Sequence, residues 1–439
     1  MTTDDDPIAA AIQEVVRELP KVALQRILKE KFSDLGIAVE PEKLRKASQH
    51  FLSGGGEFHF GNEQADATNI ELTEEDENAI VSEVEAFIRN DLPAIISKAA
   101  DEAADGLYDA LKRKWAKEHR QQIKDLSRFR KRLEYRYGPG LDRLRMLLTI
   151  AVEWSQERYA HKITVGQGQL SDLDDILHRL HARACQVTAE ILALLSTGLS
   201  DGAMARWRTL HEIATVAVLI GKYGNEVAER YVKYQIVESK KALTAYDECH
   251  EDLGYDQYPP EMKLKINNDY AEVIAEYGKS YGEQYGWISH ILGEGESKRV
   301  TFATLQKAAG MGLMRAHYQM ASYNVHASPK GIYFKLGQLE QSTKILLAGM
   351  SNAGLVEPAQ NAAITLSKTT LLVCNDEAAP AFENNVFVKV VDRLAREIPS
   401  QFAQADAKLK LDDRFVRRFN RDPNAKCTLW LGKWRGLIT

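Results

Sequence analysis

Strand-like alternation is nearly missing from this sequence. Only Lys162-Ile163-Thr164-Val165 and Gly331-Ile332-Tyr333-Phe334 read as short extended pieces, which excludes a sheet-based fold. Proline is scarce, with 12 in 439 residues, and several fall where helices should stop: Pro139, Pro259-Pro260, Pro329 and Pro423. The four cysteines, Cys185, Cys249, Cys374 and Cys427, are scattered and form no CxxC pair. That excludes a disulfide framework and fits free thiols in a reducing cytosol. No apolar run approaches the ~18–20 residues of a membrane span. The acidic opening, Met1 to Pro7, lacks the apolar core of a signal peptide. A cytoplasmic protein without membrane attachment is expected. No glycine-rich phosphate loop exists either. Gly54-Gly55-Gly56-Glu57-Phe58 lacks the lysine that such a loop needs and reads as a hinge. There is no G-x-S-x-G elbow and no cysteine in a protease-like context.

What is present is helical periodicity almost throughout, with 44% hydrophobic and 27% charged residues, an ordinary balance for a globular chain. The length implies two to four packed units. The net charge of −5 argues against a protein that coats nucleic acid over its whole surface, but leaves room for a local basic patch. The expected fold is all-α: a central helical bundle (140–337), an N-terminal helical unit (1–139) and a small C-terminal helical extension (338–439). In the N-terminal unit an acidic stretch from Glu71 to Asp109 precedes a basic helix from Lys112 to Arg136, which includes Lys131 and Arg132. Adjacent acidic and basic helices can pair or stay solvated. The basic helix can equally track phosphates, with Trp115 and Phe129 available to stack.

The bundle should hold helices over Leu141–His161, Ser171–Thr197, Gly202–Tyr223, Glu226–His250, Pro260–Tyr281 and Thr301–Ala327. The extension should add helices near Gln338–Ala353, Ala359–Cys374 and Phe382–Lys408. A basic aromatic tail closes the chain, with Arg414, Arg417, Arg418, Arg421, Trp430, Lys433, Trp434 and Arg435. Such a tail is a candidate clasp for a homodimer, the commonest assembly for such chains.

Two segments set ionisable residues inside apolar helices: Arg206-Trp207-Arg208-Thr209-Leu210-His211-Glu212 and Tyr318-Gln319-Met320-Ala321-Ser322-Tyr323-Asn324-Val325-His326. Burying such groups costs free energy unless they are paired or used. Residues three and four apart share a helix face. Arg208, His211, Glu212 and Thr215 therefore lie together, and Arg206 points almost the opposite way. In the second segment Arg315, Tyr318, Gln319, Ser322 and His326 form one stripe. His326 falls near the helix C-terminus, where the macrodipole favours a protonated imidazole. If the stripes face each other, Glu212 can pair with Arg315, Arg208 or His326. A pocket of that kind suits phosphate-ester chemistry, with arginines holding phosphate and His326 or His211 moving a proton. A buried network that only fixes helix register would use the same residues.

The Arg-Thr-Leu-His-Glu stretch at 208–212 and the Tyr-x3-Ser-x3-His pattern at 318–326 resemble the hallmarks of a bacterial all-helical family, domain of unknown function 5677. The likeness covers roughly Ile123 to Leu336. Arg208, Glu212, Ser322 and His326 are the positions that it singles out, and it implies no settled activity. A weaker resemblance is to HEPN ribonucleases, whose motif is an arginine, four to six residues, then a histidine. Arg206 and His211 have that spacing, although Trp207 stands where a small polar residue is common. The pair diverges by about 140° on an ideal helix. What this likeness implies is metal-independent cleavage of RNA at a dimer interface, in defence or toxin systems.

A third constellation, Asp174-x3-His178-x2-His181-x3-Cys185, places metal-ligand types on one helical face. A rise of ~1.5 Å per residue sets its ends too far apart for one ion, and it reads as a half-buried polar face. No metal site and no cofactor is expected. Two functions remain: a ribonuclease-like effector in bacterial phage defence or toxin systems, or a non-catalytic helical binding or regulatory scaffold with a structural Arg/Glu/His network. For the first, the catalytic candidates are Arg206, Arg208, His211, Glu212, Ser322 and His326. Arg315, Tyr318, Lys131 and Arg132 are its substrate-binding candidates, and RNA or another nucleic acid its partner.

Overall fold

The computed structural model describes residues 7–60, 70–293, 299–339, 346–374 and 381–421, with side chains outside 7–13 and 415–421. The fold is all-α, and among the described residues there is no strand. The chain divides into two compact units, Met1–Gln122 and Ile123–Thr439.

The first unit holds α1 (Pro7–Asp34), α2 (Pro41–Leu52) and α3 (Glu74–Ala86). Its core is small: Leu24, Leu28, Phe32, Leu44 and Ala47, with Phe58 and Phe60 packed against them. Helix α3 opens on a capping box, in which the Thr73 hydroxyl accepts from the Asp76 N–H and the Asp76 carboxylate accepts from the Thr73 N–H. A π-turn at Phe87–Asp91 carries the chain on into α4 (Leu92–Val165).

The second unit contains the rest of α4 and eleven further helices: α5 (Asp172–Ser196), α6 (Ser200–Tyr223), α7 (Asn225–Lys233), α8 (Gln235–Cys249), α9 (Pro260–Tyr277), α10 (Ser289–Leu292), α11 (Phe302–Ala308), α12 (Arg315–Val325), α13 (Pro329–Tyr333), α14 (Val356–Cys374) and α15 (Ala381–Arg421). Helix α6 is central, because α5, α12 and α14 all pack on it. The core joins Tyr137, Leu141, Leu144 and Leu147 of α4 to Ile191 and Leu195 of α5, Met204 and Trp207 of α6, Leu366 of α14 and Phe402 of α15. In α4 the buried positions recur every three or four residues, the stripe that an amphipathic helix presents to a core.

Several local expectations give way to tertiary packing. Helix α4 runs straight through Pro139, which the sequence marks as a stop. Beside it, a Cβ on Gly140 would stand 2.6 Å from the Phe402 ring, so glycine at 140 admits α15 closely. Lys162–Val165 is the last turn of α4, and Gly331–Tyr333 belongs to α13, so neither is extended. The span 226–250 splits into α7 and α8 at Tyr234. The span 301–327 breaks into α11, a 3-10 turn at Gly312–Met314, and α12, with Gly310 at φ +66° forming the break. Across 338–353 the described residues hold no helix. Pro260 and Pro329 do sit at the first turns of α9 and α13, where a missing N–H is harmless. The tail residues Pro423, Cys427, Trp430, Lys433, Trp434 and Arg435, and the side chains of Arg417, Arg418 and Arg421, lie outside the described residues.

Candidate functional site

Helix α6 presents two adjacent rows to its neighbours. The inner row is Trp207, His211 and Thr215, all fully buried. Trp207 Nε1 donates to Thr365 Oγ1 of α14 at 3.0 Å. Thr215 Oγ1 donates to the His211 carbonyl at 2.8 Å, a bond to the preceding turn. Three rings wall His211: Trp207, Tyr318 and Phe302, at centroid distances of 5.1, 5.7 and 6.1 Å. The Gln306 amide of α11 donates to His211 Nε2 at 2.8 Å. That bond places the ring proton on Nδ1, which is buried with no hydrogen-bond partner among the described residues. Desolvation, helped by the Lys368 charge, pushes the imidazole down to about 4. His211 is therefore a neutral ring inside an aromatic cage.

The outer row is Arg208 and Glu212, one turn apart on α6. Their side chains are 25% and 38% exposed, with Arg208 Nη2 3.1 Å from Glu212 Oε1. The Tyr318 hydroxyl of α12 donates to the same carboxylate oxygen at 2.6 Å. The Arg208 guanidinium stands 5.0 Å over the Tyr318 ring, a cation–π contact. Burial first, then the bond to Glu212, pushes the Tyr318 phenol up, and Arg208 opposes them. Tyr285, which enters this neighbourhood on a left-handed backbone (φ +60°), feels the same two charges. Its phenol is raised by burial and by Glu212 and lowered by Arg208. Arg208 Nε is buried without a partner among the described residues.

The structure thus joins Arg208, Glu212 and Tyr318 and places His211 beside them. It separates the other candidates. Arg206 turns to α5 and pairs with Glu190, with Nη1 3.4 Å from Thr209 Oγ1. Ser322 spends its hydroxyl on the Tyr318 carbonyl at 2.9 Å. Arg315 is exposed at the first turn of α12. His326 is exposed at the C-cap of α12, where its N–H donates to the Ser322 carbonyl. Lys131 is exposed and Arg132 half-buried on α4. Four residues of the site carry no local sequence signal: Gln306, Phe302, Tyr285 and Thr365 arrive from α11, a 3-10 turn and α14 through tertiary packing.

The Asp174–Cys185 face of α5 is divided among separate partners. Asp174 pairs with Lys162 and accepts from Ser171 at 2.8 Å. His178 Nδ1 lies 2.8 Å from the Asp174 carbonyl. His181 Nε2 meets Thr370 Oγ1 of α14 at 3.1 Å, and Cys185 Sγ lies 3.7 Å from the same ring nitrogen. Burial pushes His181 down to about 4 and the Cys185 thiol up to about 12. Among the described residues no three His, Cys, Asp or Glu groups are placed to hold a metal ion, and no helix is long and apolar enough to cross a membrane.

Residues 174–343 match the model of a family described as Family of unknown function (DUF5677). The match begins in the first turn of α5 and ends beyond α13, so it contains both polar segments and starts later than the motif likeness alone implies. Helices α4, α14 and α15, which complete the same core, lie outside it. No curated protein and no solved structure matches the chain.

Proposed function

We propose that the protein is a non-catalytic helical scaffold that docks RNA through the basic, exposed part of α4 around Lys131, with the α6–α12 polar network as a structural clasp. One observation carries this reading: the imidazole that α6 places against the network, His211, is neutral and sealed among Trp207, Phe302 and Tyr318. A general base must reach the proton that it abstracts, directly or through one water. The clasp closes on itself, since Glu212 forms an ion pair with Arg208 and accepts from Tyr318. The exposed Arg128, Arg130 and Lys131, with half-buried Arg132, supply the charge that a phosphate backbone takes up.

A second reading, a metal-independent ribonuclease effector, draws on Arg208, whose buried Nε lacks a partner beside a half-exposed tyrosine and carboxylate. Phosphate could take that bond, with the exposed His326 as the proton carrier. Labelled single-stranded RNA mixed with the full chain separates the two readings, with anisotropy reporting binding and a denaturing gel reporting cleavage. The scaffold reading expects binding without cleavage, weakened about tenfold by the Lys131→Ala/Arg132→Ala pair at fixed salt. Cleavage that disappears in both Arg208→Ala and His326→Ala replaces it with the ribonuclease. Absence of binding removes RNA as the partner.

A further inference from the structure

The first part of α4 stands bare. Every residue from 93 to 122 except Ala110 is exposed. Helices of this length that touch nothing are normally polar all round. This one is not. Leu107, Leu111 and Trp115 are 63%, 58% and 56% exposed, with Tyr108, Ile95 and Ile96 also open. At ~100° per residue, Ile96, Ala100, Ala104, Leu107, Tyr108, Leu111 and Trp115 form one stripe. A contiguous exposed apolar stripe of this kind marks an interaction surface.

We infer that this stripe is the seam of an antiparallel two-helix coil formed with a second copy of the chain. The charges along the helix select that occupant. The segment before Ala110 is mostly acidic, with Asp91, Asp101, Glu102, Asp105 and Asp109 against the single base Lys98. The segment after it is mostly basic, with Lys112, Arg113, Lys114, Lys117 and Arg120 against the single acid Glu118. A parallel copy would align acid on acid and base on base, whereas an antiparallel copy lays each block on its opposite. A twofold axis between Leu107 and Tyr108 also matches the side-chain sizes. It sets Ala100 against the partner's Trp115 and Ala104 against the partner's Leu111, small against large along the seam. On one edge of the stripe Asp101, Asp105 and Lys112 lie within about 40° of each other. The same axis then brings Lys112 between the partner's Asp101 and the partner's Asp105. In the single chain Lys112 only stands 4.0 Å over the Tyr108 ring, and Trp115 only stacks on His119. The segment is about 45 Å long, and an isologous contact of this sort closes on itself as a dimer.

Light scattering on the full chain at micromolar concentration tests this. The wild type should have twice the 49.3 kDa chain mass. Two variants change only exposed residues: D101K/D105K, and K112E. Each should run as a monomer with unchanged circular dichroism, because each sets like charges along the seam. Mixed one to one, they should regain the dimer mass, since every edge contact is then between opposite charges. Leu111→Asp should be monomeric alone and in any mixture. A monomeric wild type overturns the inference. So does a dimer that persists in all three variants, which would place the contact elsewhere, in the tail for example. A mixture that stays monomeric overturns the antiparallel register.

Discussion

The two rows of α6 differ by one residue in sequence and by almost everything in chemistry. Trp207 and His211 face α14 and α11. Arg208 and Glu212 face α12 and reach solvent. In the inner row burial removes charge: His211 is held neutral and accepts from the Gln306 amide, while Trp207 donates to Thr365 and Thr215 to the backbone. In the outer row, which is partly open to solvent, Arg208 pairs with Glu212 and Tyr318 donates to the same carboxylate. A rotation of ~100° about the helix axis is enough to separate the two regimes. The contrast teaches that an Arg-x2-His-Glu string is not one functional unit. Its histidine belongs to the core and its arginine and glutamate to the rim.

The largest effect should come from the inner row. Trp207→Ala removes a fully buried indole and leaves Thr365 Oγ1 without its donor. Denaturant unfolding should show a loss of about 3–5 kcal/mol. A loss under about 1 kcal/mol would mean that the inner row is not core at all. Next comes the pH dependence of His211. Its folded value of about 4 lies below the ordinary 6.5. The unfolded chain therefore takes up the proton first as pH falls. Stability from this group is complete above pH 6.5, declines as pH drops towards 4, and is flat below, a range of roughly 3 kcal/mol. His181 on α5 is depressed in the same way and should contribute a similar slope. His211→Gln should thus flatten part of the acid-side decline in melting temperature. An identical pH profile in the variant would show that His211 is not the buried neutral group.

The outer row should matter less. Glu212→Ala strips Arg208 and Tyr318 of their shared acceptor, but the site is partly solvated. Thermal melts should show about 1 kcal/mol of destabilisation. Glu212→Gln, which keeps an acceptor oxygen for Tyr318, should recover part of it. A Glu212→Ala protein as stable as the wild type would end the clasp interpretation and leave this carboxylate free for another role.

Much of the fold was legible because helical periodicity is a local signal. The spans 171–197, 202–223 and 359–374 anticipate α5, α6 and α14 within a few residues. The opposed directions of Arg206 and His211 also followed from helix geometry, and the Glu190 pairing of Arg206 accords with it. What failed to show depends on distant partners. Pro139 reads as a stop, yet α15 packs Phe402 against its flanking glycine and the helix continues. The 301–327 span reads as one helix, yet Gly310 breaks it, which turns Gln306 onto His211 and starts α12 at Arg315. Facing stripes could be drawn from spacing alone, but the choice of Tyr318, rather than Arg315 or His326, as the partner of Glu212 depends on how α12 lies on α6.

The smallest effects should lie at the ends of α12, and they sharpen the comparison most economically. Arg315 at the first turn and His326 at the C-cap are both exposed. The backbone bond of His326 to the Ser322 carbonyl does not depend on its side chain. Arg315→Ala and His326→Ala should each change stability by no more than about 0.5 kcal/mol, the usual range for surface positions. If His326→Ala instead destabilises as much as Glu212→Ala, the outer row extends a further two turns along α12. The rim would then be one continuous network from Arg208 to His326, and the same variant should be read first in the RNA experiment, since its side chain would have a structural duty to separate from any chemical one.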